Sequence, residues 1–362
     1  MTRRLLLTAL VLAALLAATP ASAGYAPTRV VRACAGSLHI AATASGALWG
    51  AASCNGQSQV SIVTASAGGA WRRISSPWSG RVLAAADDGS TTFVLWIDAS
   101  GRLQIGRRPH DGAASAPTQL SGQGANDADL VARAGRWWAV WSTSSCTSHM
   151  DGCSTVLRQA KSLGRGVRPE SVLAKADPAG TLDVLPSLAL RDDGAVLVFL
   201  RRDSQGDVIH YAVAGLDGRW TDSVFEPAAG AREFAPDVTV ASGRVVVGWV
   251  RDGLPVVAMD DAAGHFTRYA LPYRSETSEV RVAASAGRAF VGHHACFQYG
   301  GGFTCRTYVS TLTADGTVTG TTELSAGTGA TTNWVLDELV AAHGTATAAV
   351  STAGSLVSRS GF

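Results

Sequence analysis

Residues Pro236 to Tyr269 read P-D-V-T-V-A-S-G-R-V-V-V-G-W-V-R-D-G-L-P-V-V-A-M-D-D-A-A-G-H-F-T-R-Y. Asp237 to Ala241 alternates as a short strand and meets a Ser-Gly turn. An apolar strand, Val245 to Val250, then runs into Arg251-Asp252-Gly253. Pro255 to Met259 forms a third strand, Asp260 to Gly264 a second turn, and a fourth strand begins at His265-Phe266. Period-2 alternation punctuated by Gly and Asp at each reversal predicts a four-stranded antiparallel meander. One such unit has two open edges and too little core to stand alone, so it must recur.

It recurs along the whole chain. Gly46, Gly89, Gly135, Gly194, Gly243, Gly287 and Gly344 each precede an apolar strand, and several of these strands carry a central aromatic. The spacing averages about 48 residues, the size of one propeller blade. The turn residues before these strands, such as Asp87-Asp88-Gly89 and Asp192-Asp193-Gly194, supply positive φ and local hydrogen bonds. The pattern predicts an all-β fold, a seven-bladed β-propeller of four-stranded antiparallel blades. The last unit, from about Trp334, offers three strands only: Leu336 to Ala342, Thr345 to Ser351, and Leu356 to the end. Thr28 to Ala33 is a strand left over before the first unit, and it is expected to complete the last blade and close the ring. Trp96, Trp141 and Trp249 fall mid-strand in equivalent positions and are expected in the core between blades.

The chain has 362 residues and opens Met1-Thr2-Arg3-Arg4, followed by the apolar run Leu5 to Ala18 and Ala21-Ser22-Ala23. A basic start, a short apolar stretch and an A-x-A site predict a signal peptide over 1–23 and one propeller domain over 24–362. The apolar run is shorter than a membrane span requires. The arginine pair also fits a twin-arginine signal. The expected product is secreted, extracellular and monomeric, with no membrane span. Cleavage removes two of the 30 basic residues, leaving 28 against 28 acidic ones. A nucleic-acid partner needs a basic footprint, so none is expected.

Six cysteines in an exported chain should be paired. Cys146 and Cys153 flank one strand reversal, Cys296 and Cys305 another, where facing residues come close enough to bridge. Cys34 and Cys54 remain and pair by elimination, in connections that the meander puts on one face. Closing each small hairpin loop is worth about 2.5 kcal/mol.

Thr64-Ala65-Ser66-Ala67-Gly68-Gly69-Ala70-Trp71 resembles the Asp-box, S-x-D-x-G-x-x-W, of the sialidase-like (BNR-repeat) propellers. Thr64, Gly68 and Trp71 match, while Ser66 stands where the box has Asp. Asp217-Gly218-Arg219-Trp220, Asp260 to Phe266 and Asp315-Gly316-Thr317-Val318 occupy the same slot in later units. The resemblance implies boxes on the face opposite the active site. It also implies an enzyme site of three arginines on a carboxylate, a Tyr–Glu nucleophilic pair and an acid/base Asp. Arg81, Arg232 and Arg281 are the arginines nearest such positions. The family's sialidases have six blades, whereas this chain counts to seven, so no catalytic residue is carried over.

Propellers bind ligands around the axial channel, where second strands exit and first strands begin. Candidate binding residues there are Arg202, Arg251, Asp252, His293, His294, Tyr299 and Trp334, with Asp98, Asp127, Asp183, Glu233 and Glu276 nearby. Charged groups give planar hydrogen bonds and rings give stacking, which suits a sugar. His149, Met150 and Asp151 lie in a second exposed tip between Cys146 and Cys153. Adjacent strand residues face opposite ways, so His293 and His294 cannot share one metal ion. No metal, cofactor or catalytic set is assigned, and G-x-S-x-G, H-E-x-x-H and P-loop motifs are absent. The expected function is binding of an extracellular glycan or protein, with a sialidase-like glycoside hydrolase as the alternative. Non-reducing peptide mapping is expected to find Cys34–Cys54, Cys146–Cys153 and Cys296–Cys305 and no free thiol. A bridge between the two hairpin loops would overturn the strand assignment.

Overall fold

The structure is a computed structural model. It describes residues 28–32, 38–43, 45–53, 59–66, 70–122, 125–146, 153–162, 171–172, 180–204, 206–225, 232–261, 264–272, 277–299, 302–324, 335–352 and 355–360. The expected signal peptide, Cys34, Cys54, the 147–152 loop, Glu276 and Trp334 lie outside the described residues.

Every described element is a strand. The first is β1 (Thr28–Arg32). Four strands follow: β2 (Leu38–Ala42), β3 (Leu48–Ser53), β4 (Gln59–Ala65) and β5 (Arg72–Ser79). The next four are β6 (Arg81–Asp87), β7 (Thr91–Ile97), β8 (Leu103–Pro109) and β9 (Thr118–Ser121). Then come β10 (Ala125–Arg133), β11 (Arg136–Cys146), β12 (Cys153–Lys161) and the two-residue β13 (Ser171–Val172). β14 (Leu182–Leu190), β15 (Gly194–Asp203), β16 (Gly206–Gly215) and β17 (Trp220–Val224) follow. Next are β18 (Glu233–Ala241), β19 (Arg244–Arg251), β20 (Leu254–Asp260) and β21 (Phe266–Tyr269). The chain continues through β22 (Val280–Ser285), β23 (Arg288–Tyr299), β24 (Gly302–Leu312) and β25 (Val318–Glu323). It ends with β26 (Val335–Ala342), β27 (Thr345–Thr352) and β28 (Ser355–Ser360).

Hydrogen bonding groups these strands into antiparallel meanders of consecutive strands. Two departures from equal four-stranded sheets occur. β12 and β14 share one parallel pair, Thr155 with Leu182, which joins β10–β12 and β14–β17 into a single eight-stranded sheet. β13 pairs with β12 through two residues only. The amino-terminal strand behaves as its leftover position suggested: β1 pairs antiparallel with β28, giving the order β1-β28-β27-β26.

The marker glycines have a backbone reason. Ala134-Gly135, Ser242-Gly243, Ala286-Gly287 and His343-Gly344 all have φ between 49° and 79°. Each pair is the whole loop between a first and a second strand, as between Arg133 and Arg136. Two successive positive φ values define a type I′ turn, whose twist matches the flanking strands. Gly194 serves differently: a Cβ there would stand 1.9 Å from the Ala214 carbonyl oxygen, so only glycine permits that approach.

The cores lie between consecutive sheets. Leu95 and Leu103 pack against Trp137 and Trp141, and Val198 and Leu200 against Val245 and Trp249. Val60 and Ile62 pack with Trp96, and Val350 and Leu336 with Phe290. Leu38 and Ile40 of the β2 sheet share a cluster with Ala349 of β27. First strands touch in chain order, and β26 also packs against β2. Trp96, Trp141 and Trp249 are buried, so truncating one to Ala should cost about 3–5 kcal/mol. Cys296 and Cys305 are bonded across β23–β24, with Cα atoms 4.0 Å apart. Cys153 is disulfide-bonded and faces Cys146 in the β11–β12 register. Disulfides are compatible with an exported protein. No helix among the described residues is long and apolar enough to cross a membrane.

β1 covers an open edge of β28, and edge strands need such cover. Deleting residues 24–33 is expected to lower the melting temperature by at least about 5 °C. A truncated protein that melts with the full chain would show that β1 carries no stability.

Candidate functional site

Each first strand except β14 is an edge strand, and the β10, β14 and β18 strands shift register near their starts. Such bulges re-aim side chains. Leu185 and Ala235 sit at φ 53° and 51°, each directly before a proline, Pro186 and Pro236. A left-handed residue there costs roughly 1–3 kcal/mol, so the surrounding fold must hold the bend. These turns rim a cavity of about 360 Å³ that all first strands line.

One residue from each first strand reaches this cavity at the place just before the strand's central apolar pair: His39, Leu83, Asp129, Ser187, Asp237, Arg281 and Glu338. Most reach forward to the next sheet. The Leu188 amide donates to Asp129 Oδ2 at 2.6 Å, and the Val238 amide to Ser187 Oγ at 3.1 Å. The Val282 amide donates to Asp237 Oδ2 at 2.7 Å. Arg281 reverses the polarity, donating Nε to the Asp337 carbonyl at 3.2 Å. Glu338 Oε1 meets His39 Nδ1 at 3.0 Å, linking the β26 sheet to the β2 sheet. Asp237 also accepts from Ser187 Oγ at 2.7 Å, so one carboxylate ties three sheets.

Crowding carboxylates in this confined space shifts their titration. Burial pushes Asp129 up to about 7; amides of Leu188 and Leu130 oppose it, and the Asp237 and Glu338 charges add to it. Burial also raises Asp237 and Glu279, against the pull of Arg281. Burial works against the Arg281 cation, but Glu279, Asp237, Glu338 and Asp337 outweigh it and hold its pKa above the usual value. Arg281 Nη2 donates to Glu279 Oε1 at 3.0 Å. Arg81, Asn126 and Asp127 complete the mouth.

The residues singled out from sequence separate into several places. Arg202 is exposed and gripped by both oxygens of Asp207, at 2.7 and 2.9 Å, outside the cavity. Asp183 is held by Arg201 through two 2.7 Å bonds, and buried Glu233 accepts the Ile209 amide at 3.1 Å. Both are structural. Asp98 closes its own turn by accepting the Ser100 and Arg102 amides. His293 is wholly buried and stacks on Tyr308, with ring centroids 5.6 Å apart; it presents no surface to a ligand. Arg251 faces Glu233 in the β18–β19 register. Tyr299 pairs with Gly302 at the β23–β24 hairpin.

Asp252 and His294, by contrast, meet in a second cavity, of about 920 Å³, between the β18–β21 and β22–β25 sheets. Of the three arginines implied by the family resemblance, Arg81 and Arg281 line the axial cavity and Arg232 the second one. The box-like turns serve as hairpin locks. Asp217 accepts the Arg219 amide at 3.1 Å, Asp315 the Thr317 amide at 3.1 Å, and Asp261 the His265 amide at 2.9 Å. Asp129, Asp237, His39 and Glu338 were not singled out from sequence. Their signal is a polar residue directly before the apolar pair of a first strand, as in Asp129-Leu130, Asp237-Val238 and Glu338-Leu339.

Asp129 binds its proton more tightly folded than unfolded. Its contribution to stability is therefore full below about pH 4 and is lost as pH rises through about 7. Asp129→Asn is expected to start about 1 kcal/mol less stable at pH 4, because the amide cannot accept both backbone N–H groups. That deficit should shrink or reverse by pH 8 in denaturant titrations; parallel pH profiles would refute the assignment.

No protein-family model matches this chain, and no curated protein sequence matches it. Solved structures do. A lectin, BP39L from Burkholderia pseudomallei, aligns with a TM-score of 0.61 at 15% identity, covering 90% of this chain and 96% of its own. A polysaccharide lyase of family PL25, an ulvan lyase bound to -[GlcA(1-4)Rha3S]-, aligns at 0.60 and 7% identity, covering 92% and 95%. A Mycobacterium tuberculosis puromycin-hydrolyzing peptidase aligns at 0.58 and 13% identity; 91% of this chain corresponds to 54% of that one. At such identities the likeness concerns fold alone. The neighbours are propeller folds, so the chain has an all-β, propeller-like architecture.

Proposed function

We propose that this chain is a secreted, seven-bladed propeller that binds a glycan across the mouth of its axial cavity. The ring reading is supported by the β1–β28 pairing and by the packing of β26 against β2. The single observation that carries the function is the mouth itself. Arg81, Asp127 and Glu279 converge there from three sheets on a concavity of about 360 Å³. Donors and acceptors held on neighbouring strands match a rigid polyhydroxylated ring, and their placement needs no loop rearrangement. The lectin and the ulvan lyase bind or process carbohydrate on a similar fold, which agrees with this reading. Arg251, which faces Glu233 beside the first-strand entry, is proposed to flank the mouth and extend the surface.

A hydrolytic reading has one observation in its favour. Asp129 holds its proton up to about pH 7 beside Asp237, which is how an acid is kept available near neutral pH. Turnover of chromogenic glycosides, abolished by Asp129→Asn, would establish it; no turnover would leave binding alone.

Binding is tested on a glycan array. Hits are expected, and exposed Arg81→Ala should weaken them by about 1–3 kcal/mol, as truncating an anchor does. Asp217→Ala and Asp315→Ala should leave affinity within about 0.5 kcal/mol, since their hairpins lie far from the mouth. An array without a hit, or affinity governed by the Asp turns, would refute the site.

A further inference from the structure

The second cavity lies apart from the axis, in the seam where β18–β21 meets β22–β25. Its floor is His294, 3% exposed, whose Nε2 lies 2.9 Å from the Ser278 hydroxyl. His294 Nδ1 has no hydrogen-bond partner among the described residues. Burial, helped by Arg281, lowers the His294 pKa and keeps the imidazole neutral at neutral pH. The walls mix apolar and polar surface. Leu254 is 40% exposed at the rim, and Phe234 is half-buried beside it. Ser278 brings an exposed hydroxyl, and the Cys296–Cys305 disulfide closes one side.

Charge sets this cavity apart from the axial one. Arg232 and Asp252 are its only charged side chains among the described residues, one of each sign. Asp252 is fixed: its Oδ1 accepts the Arg232 amide at 3.0 Å, and its own amide donates to the Arg232 carbonyl at 2.9 Å. The cavity therefore offers a balanced pair of charges, one exposed hydroxyl, a neutral imidazole and an apolar rim. Its volume falls in the usual ligand range of roughly 300–1,000 Å³.

We infer that this seam cavity is a second, independent ligand site, and that it takes a short neutral saccharide. The apolar face of a sugar ring lies on Leu254 and Phe234, and its hydroxyls meet Ser278 and the Arg232–Asp252 pair. A charged sugar would leave one partner of that pair unmatched, which discriminates against acidic units. The inference does not depend on the axial mouth, since the two cavities share no lining residue.

The test uses saturation-transfer NMR on the full secreted chain. The probes are the methyl glycosides of glucose, galactose, mannose, fucose and N-acetylglucosamine, with the methyl glycoside of N-acetylneuraminic acid as the acidic comparison. At least one neutral glycoside should give transfer, and titration should show binding at least tenfold tighter than to the acidic one. Leu254→Asp, at an exposed position, should weaken the neutral ligand at least tenfold with an unchanged melting temperature. Ser278→Ala should weaken it as well, with some loss of stability because the buried His294 loses its hydroxyl partner. Arg81→Ala, at the axial mouth, should leave it unchanged. No transfer from any neutral glycoside overturns the inference, as does preference for the acidic probe. Loss with Arg81→Ala but not with Leu254→Asp would assign all saccharide binding to the axis and likewise overturn it.

Discussion

The fold turns on how its first strands satisfy their free edges. All but β14, which shares one parallel pair with β12, are bonded to a neighbour on one edge only. Backbone amides on the other edge would cost about 1–3 kcal/mol each if left unpaired. No first strand shares a ladder with the next first strand. Side chains do the work instead. Asp129 takes the Leu188 amide, Ser187 the Val238 amide and Asp237 the Val282 amide, each reaching from one meander to the next. The relay then changes sign at Arg281, which donates to the Asp337 carbonyl, and ends in the Glu338–His39 contact. Apolar packing between sheets is non-directional and tolerates sliding. These short polar links fix the angular order of the sheets.

That solution has an electrostatic consequence. Acceptors for backbone amides are best supplied by carboxylates, so the relay gathers like charges in one narrow space. Their mutual repulsion and burial raise the pKa values of Asp129, Asp237 and Glu279. Arg281 is the compensating cation, and Glu279, Asp237, Glu338 and Asp337 together explain why its charge is secure. Perturbed titration at this axis is thus first a structural fact. A functional reading of the mouth has to rest on the groups the relay leaves unused, namely Arg81, Asp127 and the outer side of Glu279.

Much of the architecture is written locally in the sequence. The X-Gly pairs before apolar strands are type I′ turns because both residues need positive φ, and few other residue pairs tolerate that. Trp96, Trp141 and Trp249 are legible as core because a buried aromatic recurs at one strand position. The strand left over at the amino terminus follows from counting, and β1 pairs with β28. The site was less legible. His293 and Asp183 look like ligand-binding residues by type, yet one is packed on Tyr308 and the other is neutralised by Arg201. A pair of opposite charges across a hairpin, such as Arg202 and Asp207, reads in sequence as two free groups. Asp129, Ser187, Asp237 and Glu338 do not stand out in sequence, because each is a single polar residue in a different strand. Only the packing of the first strands brings them together.

The β23–β24 hairpin shows how one element serves both fold and site. Its strands run 12 and 11 residues, longer than the 7-residue third strand of the preceding sheet. The extra length carries the hairpin past the sheet body, where no neighbouring strand supports it. A two-stranded ribbon is marginal alone. Cys296 and Cys305 face each other directly in the register, and their Cα atoms stand 4.0 Å apart. That is near the close spacing of a non-hydrogen-bonded antiparallel pair, where the backbone contributes least and a covalent link adds most. Both cysteines line the seam cavity, and Cys296 lies two residues beyond His294. The bridge therefore rigidifies the wall nearest the imidazole. A site on this seam is held by one covalent link and one fixed turn at Asp252, where the axial mouth is held by the relay of hydrogen bonds.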